Sequence, residues 1–321
     1  MSATENRRRP LVVCVGGSTV DVSAQLLSPQ LLSDSSNPVT TARSFGGVAR
    51  NIADALSKTP AGLDVRLITA VGGVEGSPGQ PDTIGAALLG DLRAMGVGVD
   101  HTLVSGAHST ATYIAVLNPG GELVYGFADC GIIEAALTPE HVTARLSELP
   151  RPIDMIVIDA NLSCAAMQAV AQFAIEHSTP LWLEPTSPEK FRRAFPHLAY
   201  FTYISPSATE HDLLRTENFS SDALPQVIFR TKGSLGVDIV SPRSEFPPLS
   251  LPAHALPAAP VSVTGAGDCL VAGCIAYLLS HPTEPRPSSL RHAALYGMQC
   301  ASASIVCASP VPASLPPMSP P

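Results

Sequence analysis

Thr264-Gly265-Ala266-Gly267-Asp268 stands between a Pro-rich stretch, Ser241 to Pro260, and an apolar run from Cys269 to Leu279. Two glycines and an alanine at a helix start let the backbone approach a ligand closely, with free N–H groups and the positive dipole end facing an anion. The run predicts a phosphate cradle at the head of a buried helix, Gly267 to Ser280. A carboxylate inside such a cradle would repel the anion it attracts, unless it takes the proton of an incoming hydroxyl. Capping the helix is the other use for an acid at this place, and the pentapeptide alone leaves both readings open.

Upstream, short β-branched runs alternate with helical patterns: Leu11 to Val15 then Val48 to Ser57, Val65 to Val71 then Thr83 to Met95, Met155 to Asp159 then Ala165 to Glu176. Leu181 to Glu184, Phe201 to Ile204 and Val227 to Arg230 continue the strands, and Ser289 to Val306 reads as a closing helix. Such alternation predicts an α/β fold, a three-layer sandwich around a mostly parallel central sheet. Two stretches, about 20–45 and 110–128, are strand-like without an intervening helix. The second carries a hairpin pattern, Thr112 to Leu117 and Leu123 to Phe127 around Asn118-Pro119-Gly120-Gly121. Both are assigned to a small β lid. The expected organisation is a disordered segment over 1–10, one domain over 11–308, and a frayed Pro-rich tail over 309–321.

The chain has 321 residues, 45% of them hydrophobic and 14% charged, which suits a sheet covered on both faces. A net charge of −8 gives no basic field for a nucleic-acid polymer. The seven cysteines lack paired metal-ligand spacing and read as buried, reduced thiols. Cys269 and Cys274 read as helix packing, and Trp182 as core. No apolar stretch of signal-peptide type opens the chain, and the longest apolar run is too short for a bilayer, so no membrane role and a cytoplasmic location are expected.

Glycine pairs follow the first strand, at Gly16-Gly17 with Asp21, and open the first long helix, at Gly46-Gly47 with Asn51. A carboxylate and an amide beyond the carboxyl ends of parallel strands can grip neighbouring sugar hydroxyls. Taken singly, Asp21 also reads as a turn residue and Asn51 as a helix-surface residue. The ordered set Gly16-Gly17-x-x-x-Asp21, Gly46-Gly47-x-x-x-Asn51, Thr231-x-Gly233-x-x-Gly236 and Gly265-Ala266-Gly267-Asp268 resembles the ribokinase-like (PfkB) carbohydrate and nucleoside kinases, from about Leu11 to Val306. Within that family, Gly46-Gly47-Val48-Ala49-Arg50-Asn51, Ser109 to Asp129, Asp159 to Leu162 and Glu184 to Lys190 look like the pseudouridine kinases.

The resemblance implies ATP-dependent phosphorylation of a ribose 5′-hydroxyl, with pseudouridine as leading acceptor. Another nucleoside, free ribose, or a catalytically silent ligand-binding member of the fold are the alternatives. It implies Asp268 as the base, with the N–H groups of Gly265, Ala266 and Gly267 facing the transferring phosphoryl group. Asp21, Gly46, Gly47 and Asn51 would hold the ribose, with Tyr113 and Asp129 reaching it from the lid. Thr231, Gly233, Gly236 and Thr264 would line the ATP site, and Glu210 would organise Mg²⁺ through water. A monovalent cation such as K⁺ beside the nest and a homodimer through the lid belong to the same set of expectations. Two departures stand out: Ser207 replaces the Asn usual three places before Glu210, and Gly72-Gly73-Val74-Glu75-Gly76 lacks the usual Asp and runs into an insertion ending at Pro81.

Overall fold

The computed structural model describes residues 8–243 and 246–318. The chain opens with β1 (Leu11–Val15), β2 (Thr19–Leu26), β3 (Val39–Gly46), α1 (Val48–Ser57), β4 (Asp64–Ile68) and β5 (Ala70–Gly72). It continues with α2 (Thr83–Ala94), β6 (Leu103–Ser105), β7 (Thr112–Leu117), β8 (Leu123–Asp129), α3 (Gly131–Ala136), α4 (Pro139–Glu148) and β9 (Met155–Asp159). The second half holds α5 (Cys164–Glu176), β10 (Leu181–Glu184), α6 (Pro188–Phe191), β11 (Tyr203–Ile204), α7 (Ala208–Thr216) and β12 (Val227–Thr231). β13 (Val237–Val240), β14 (Leu249–Leu251), α8 (Ala266–Ser280) and α9 (Ser288–Ile305) complete it.

The main sheet has eight strands in the order β14-β13-β12-β11-β10-β9-β1-β4. From β4 to β12 neighbouring strands pair in parallel, and β13 and β14 close the far edge antiparallel. β1 and β9 are buried at every residue, which is why they read as unbroken apolar runs. Val12 and Cys14 face a core completed by α1, α2, α8 and α9, while Leu11, Val13 and Val15 face a second core under α3, α4 and α5. The period of two along β1 thus feeds both outer layers and produces the expected sandwich. Trp182 on β10 is fully buried against Tyr203 and Phe229, and its indole N–H donates to Ser205 Oγ at 2.9 Å.

A second sheet, β3-β2-β7-β8, forms the lid. Its stem is the pairing of Thr19 with Gly46, so the lid springs from the two glycine pairs themselves. β8 is exposed along its whole length.

Four expectations need correcting. The run Val65 to Val71 divides at Thr69, whose hydroxyl donates to Gly16 O at 2.8 Å, and β5 leaves to pair with β6. The tail is docked over its described part, with Val311 and Leu315 buried and Pro316 O accepting from the Tyr296 hydroxyl at 3.0 Å. Its apolar residues outweigh its proline content. At the other end Arg8 pairs with Asp154 at 2.8 Å, so order begins before Leu11, while residues 1–7 lie outside the described residues. Cys164 is exposed at the start of α5, and Cys130 and Cys307 are only half-buried. Among the described residues no helix is long and apolar enough to cross a membrane.

Candidate active site

Parallel pairing with β1 places Asp159, the last residue of β9, beside the first glycine pair. Its buried carboxylate accepts from Gly17 N at 2.9 Å, Ala49 N at 3.0 Å and Asn161 N at 3.0 Å. It therefore ties the turn after β1 to the first turn of α1, which has no side-chain cap of its own. Burial pushes the Asp159 carboxyl above its ordinary range, and the N–H donors pull the other way. Gly47, at φ 96°, lies against the chain at Gly17: a Cβ there would stand 2.5 Å from Gly17 O. Only glycine serves at this contact.

Asp21 sits on β2 with its carboxylate over Gly46 and accepts from the Thr19 hydroxyl at 2.9 Å. Burial raises its carboxyl, opposed by Thr19 and the Arg50 charge. It is a strand residue and not a turn residue. Asn51 is buried on α1, and its amide Nδ2 donates to Asp268 Oδ2 at 2.8 Å. The helix-surface reading of Asn51 is thereby excluded. The separation of 217 positions in sequence is spanned by the packing of α1 on α8.

At the head of α8 the capping residue is Gly265, at φ 81°, with no side-chain cap. Pro310 O in the docked tail stands 2.2 Å from where its Cβ would be, so the turn accepts no side chain. Among the described residues no protein acceptor meets the N–H groups of Gly265, Gly267 and Asp268. Ala266 N turns back to Val263 O at 3.3 Å, so of the three N–H groups named from the motif those of Gly265 and Gly267 stay open and that of Asp268 joins them. The space beside Gly267 is open. Asp268 lies inside the first turn and not at the cap, and is 8% exposed. Burial pushes its carboxyl up to about 7; Asp159 adds to the rise, and Asn51 and Arg50 oppose it. A carboxyl that titrates near neutrality and has one amide donor is suited to accept a proton.

Glu184, ending β10, joins this acid cluster. Burial raises its carboxyl well above the ordinary range, the Asp268 and Glu210 charges raise it further, and the Ser205 hydroxyl donates to it. Ser207 caps α7: its Oγ accepts from Glu210 N at 3.3 Å, and Glu210 Oε2 accepts from Ser207 N at 2.8 Å. The Asn-to-Ser departure thus leaves Glu210 held in a capping box. Thr231 bridges to Ser207 at the end of β12, followed by Gly233 and Gly236 at positive φ, while Thr264 is exposed. The stretch Gly72 to Gly76 lacks the usual Asp, and the aspartate that lies against Gly72 is Asp82, after the insertion, which accepts from Gly85 N and Thr110.

On the lid, Tyr113 stands beside Asp21 in register and its phenol lies over Gly126, while Asp129 is exposed at the end of β8. Asp21, Asp129 and Lys190 all act electrostatically on Cys130, which places the lid's acid and this lysine around one spot. Lys190 Nζ donates to Asn161 Oδ1 at 2.6 Å, and Asn161 borders Gly17. The structure therefore brings Asp21, Gly46, Gly47, Asn51, Asp268 and the α8 head together. Asp159, Glu184, Arg50 and Lys190 escape the motif reading. In the sequence Arg50, Asp159 and the Glu184 to Lys190 stretch stand only within family-like spellings.

The pattern described as pfkB family carbohydrate kinase matches residues 9–316. Over 198 residues the chain is 30% identical to a pseudouridine kinase of Arabidopsis thaliana, covering 62% of this chain and 48% of that protein. Over 208 residues it is 28% identical to a pseudouridine kinase of Escherichia coli, covering 65% and 62%. A guanosine-inosine kinase of Exiguobacterium acetylicum is 25% identical over 174 residues, 53% of this chain and 52% of that one. The matched segments thus span from about half to three-fifths of these relatives' lengths. Among solved structures, a nucleoside kinase of Methanocaldococcus jannaschii superposes with a TM-score of 0.73 at 17% identity, covering 96% of this chain and 95% of that one. A ribokinase of Cryptococcus neoformans in complex with ADP gives 0.70 at 18%, covering 95% and 97%. The chain belongs to the pfkB family of carbohydrate kinases.

Proposed function

We propose that this protein transfers the γ-phosphoryl group of ATP to the 5′-hydroxyl of pseudouridine, giving pseudouridine 5′-phosphate and ADP. The observation that carries the reading is Asp268, a buried carboxylate at the head of an uncapped helix, hydrogen-bonded to Asn51 at 2.8 Å. Two pseudouridine kinases among the relatives support the choice of acceptor. In this reading Asp21, Gly46, Gly47 and Asn51 hold the ribose, and Tyr113 and Asp129 approach it from the lid. Asp268 takes the 5′-hydroxyl proton as the oxygen bonds to phosphorus and ADP departs. The N–H groups of Gly265 and Gly267 receive the charge of the transferring group. Thr231, Gly233, Gly236 and Thr264 line the nucleotide.

Among the described residues no group of three or more acidic, His or Cys side chains could hold a metal by itself. Mg²⁺ would be carried mainly by the phosphates, with Glu210 and Glu184 gripping its water shell. The crowding of Glu184 by Asp268 and Glu210 fits that use, since a cation relieves it. When bound, the metal neutralises phosphate charge.

The guanosine-inosine kinase among the relatives supports a second reading, in which another nucleoside is the acceptor. An ATP-dependent assay across pseudouridine, uridine, adenosine, inosine and ribose decides between them. Highest kcat/KM with pseudouridine is expected, and a purine nucleoside outrunning it would overturn the assignment. The free cysteines suit a reducing, cytoplasmic setting. A second copy of the chain is the partner proposed for the lid, because its edge strand β8 exposes Leu123 at 58%, Phe127 at 57% and Tyr125. Sedimentation of the wild type against Phe127→Glu tests that pairing: a monomeric wild type would exclude it.

A further inference from the structure

Next to Asn51 in sequence, Arg50 is 4% exposed, although charged side chains are seldom buried so far. Its Nη1 lies 2.9 Å from Asp54 Oδ2 and its Nη2 lies 2.9 Å from Asp91 Oδ2, and Lys58 meets Asp54 from the other side at 2.7 Å. The same Nη1 donates to Asn51 Oδ1 at 3.2 Å. Only the oxygen end of an amide can accept from a guanidinium, so this bond sets which end of Asn51 faces Asp268. The reverse orientation would press NH₂ against the guanidinium and oxygen against the carboxylate.

Stability does not account for this arrangement. Burying an ion pair costs several kcal/mol per charge, and an apolar residue of similar volume serves a core as well. The charged groups that face Asp268 are Arg50 from α1, Asp159 from β9 and Glu184 from β10, with Asn51 as amide donor and the Cys269 thiol adjacent on α8. Arg50 is the one cation in that set. It also acts on Asp21.

We propose that Arg50 is a positioning residue, whose guanidinium locks the Asn51 amide against Asp268 and stands as the cation opposite the two acids crowding that carboxylate. The inference rests on the reading of Asp268 as the base. Without Arg50 the Asp159 and Glu184 charges go unopposed, so Asp268 holds its proton to higher pH and the acid limb of the rate profile moves upward.

The test is the pH dependence of kcat/KM with ATP and pseudouridine, or inosine if pseudouridine is not turned over, for wild type, Asp268→Asn, Arg50→Met and Asp91→Asn. Arg50→Met is expected to move the acid limb up by about one pH unit and to lose about fivefold at pH 7, recovered in large part at pH 9. Asp91 is half-exposed at the rim of α2 and competes for the guanidinium, so Asp91→Asn is expected to move the limb a few tenths of a unit down. Opposite displacements are something a merely structural ion pair would not give. A lower melting temperature with the limb unmoved in Arg50→Met overturns the proposal. If Arg50→Met does not fold, Asp91→Asn decides alone, and an unmoved limb there overturns it. Near-normal turnover in Asp268→Asn would instead sink the reading of the base itself, whereas an inactive Asp268→Asn with unmoved limbs elsewhere sinks only the role of Arg50.

Discussion

Asp159 and Asp268 occupy two corners that meet at one end of the sheet, and each corner treats its buried carboxylate differently. At the first, three backbone N–H groups converge on Asp159. At the second, Asp268 has one amide donor, and its carboxyl is pushed up to about 7. An acid met by three main-chain donors holds two turns together, and those donors oppose the rise that burial causes. An acid left short of donors is costly to keep charged, and that cost makes it a usable base. Counting donors separates the structural acid from the reactive one, though both are buried to a similar degree.

The largest effect expected from this contrast is in Asp268→Asn, with turnover lowered by about 10²- to 10⁴-fold. Its stability should move the opposite way. Between about pH 4 and pH 7 the folded chain keeps a proton on Asp268 that the unfolded chain has lost, so wild-type stability falls as pH rises through that window. Asp268→Asn is then more stable than wild type at pH 8, on the order of 3 kcal/mol, and the gain fades toward pH 4. Denaturant titrations at both pH values check this, and an equal difference at both would break the comparison. Gly265→Ala comes next: the added methyl must displace Pro310 or the nest, lowering turnover about 10²-fold with ATP-dependent assays as the readout. Asp159→Asn should show the reverse balance, costing about 1–3 kcal/mol of stability because its amide cannot accept from every N–H now aimed at it. Turnover per folded molecule should fall less than in Asp268→Asn, and a larger fall would blur the two roles. The smallest change belongs to the lid, where Phe127→Ser should leave monomer stability within about 0.5 kcal/mol by thermal melting.

Legibility in the sequence followed the same division. β1, β9, β10 and the start of the lid hairpin were readable to the residue, because short apolar runs ended by polar or turn-forming residues leave few alternatives. The glycine pairs were readable too, since close backbone approach has a compositional signature. Asp159 was not, because a strand-terminal aspartate looks like any other until parallel pairing sets β9 beside β1. Arg50 carries a family-like spelling but no sign of burial, and the i,i+4 spacing to Asp54 is its one hint of an ion pair. The break at Thr69 depends on a hydroxyl reaching Gly16 O, a contact without local sequence pattern. Proline content concealed the docked tail.

That tail bears on how the molecule is made. Pro310 O receives the Ser304 hydroxyl at 2.9 Å and lies behind Gly265, so the turn that shapes the nest has its backstop 45 residues downstream. As the chain leaves the ribosome, the Asp159 corner has all its parts once α5 is synthesised, whereas the nest must wait for Pro310. A polypeptide interrupted before that proline would display every motif of the family and still lack the wall against which its phosphate turn is formed.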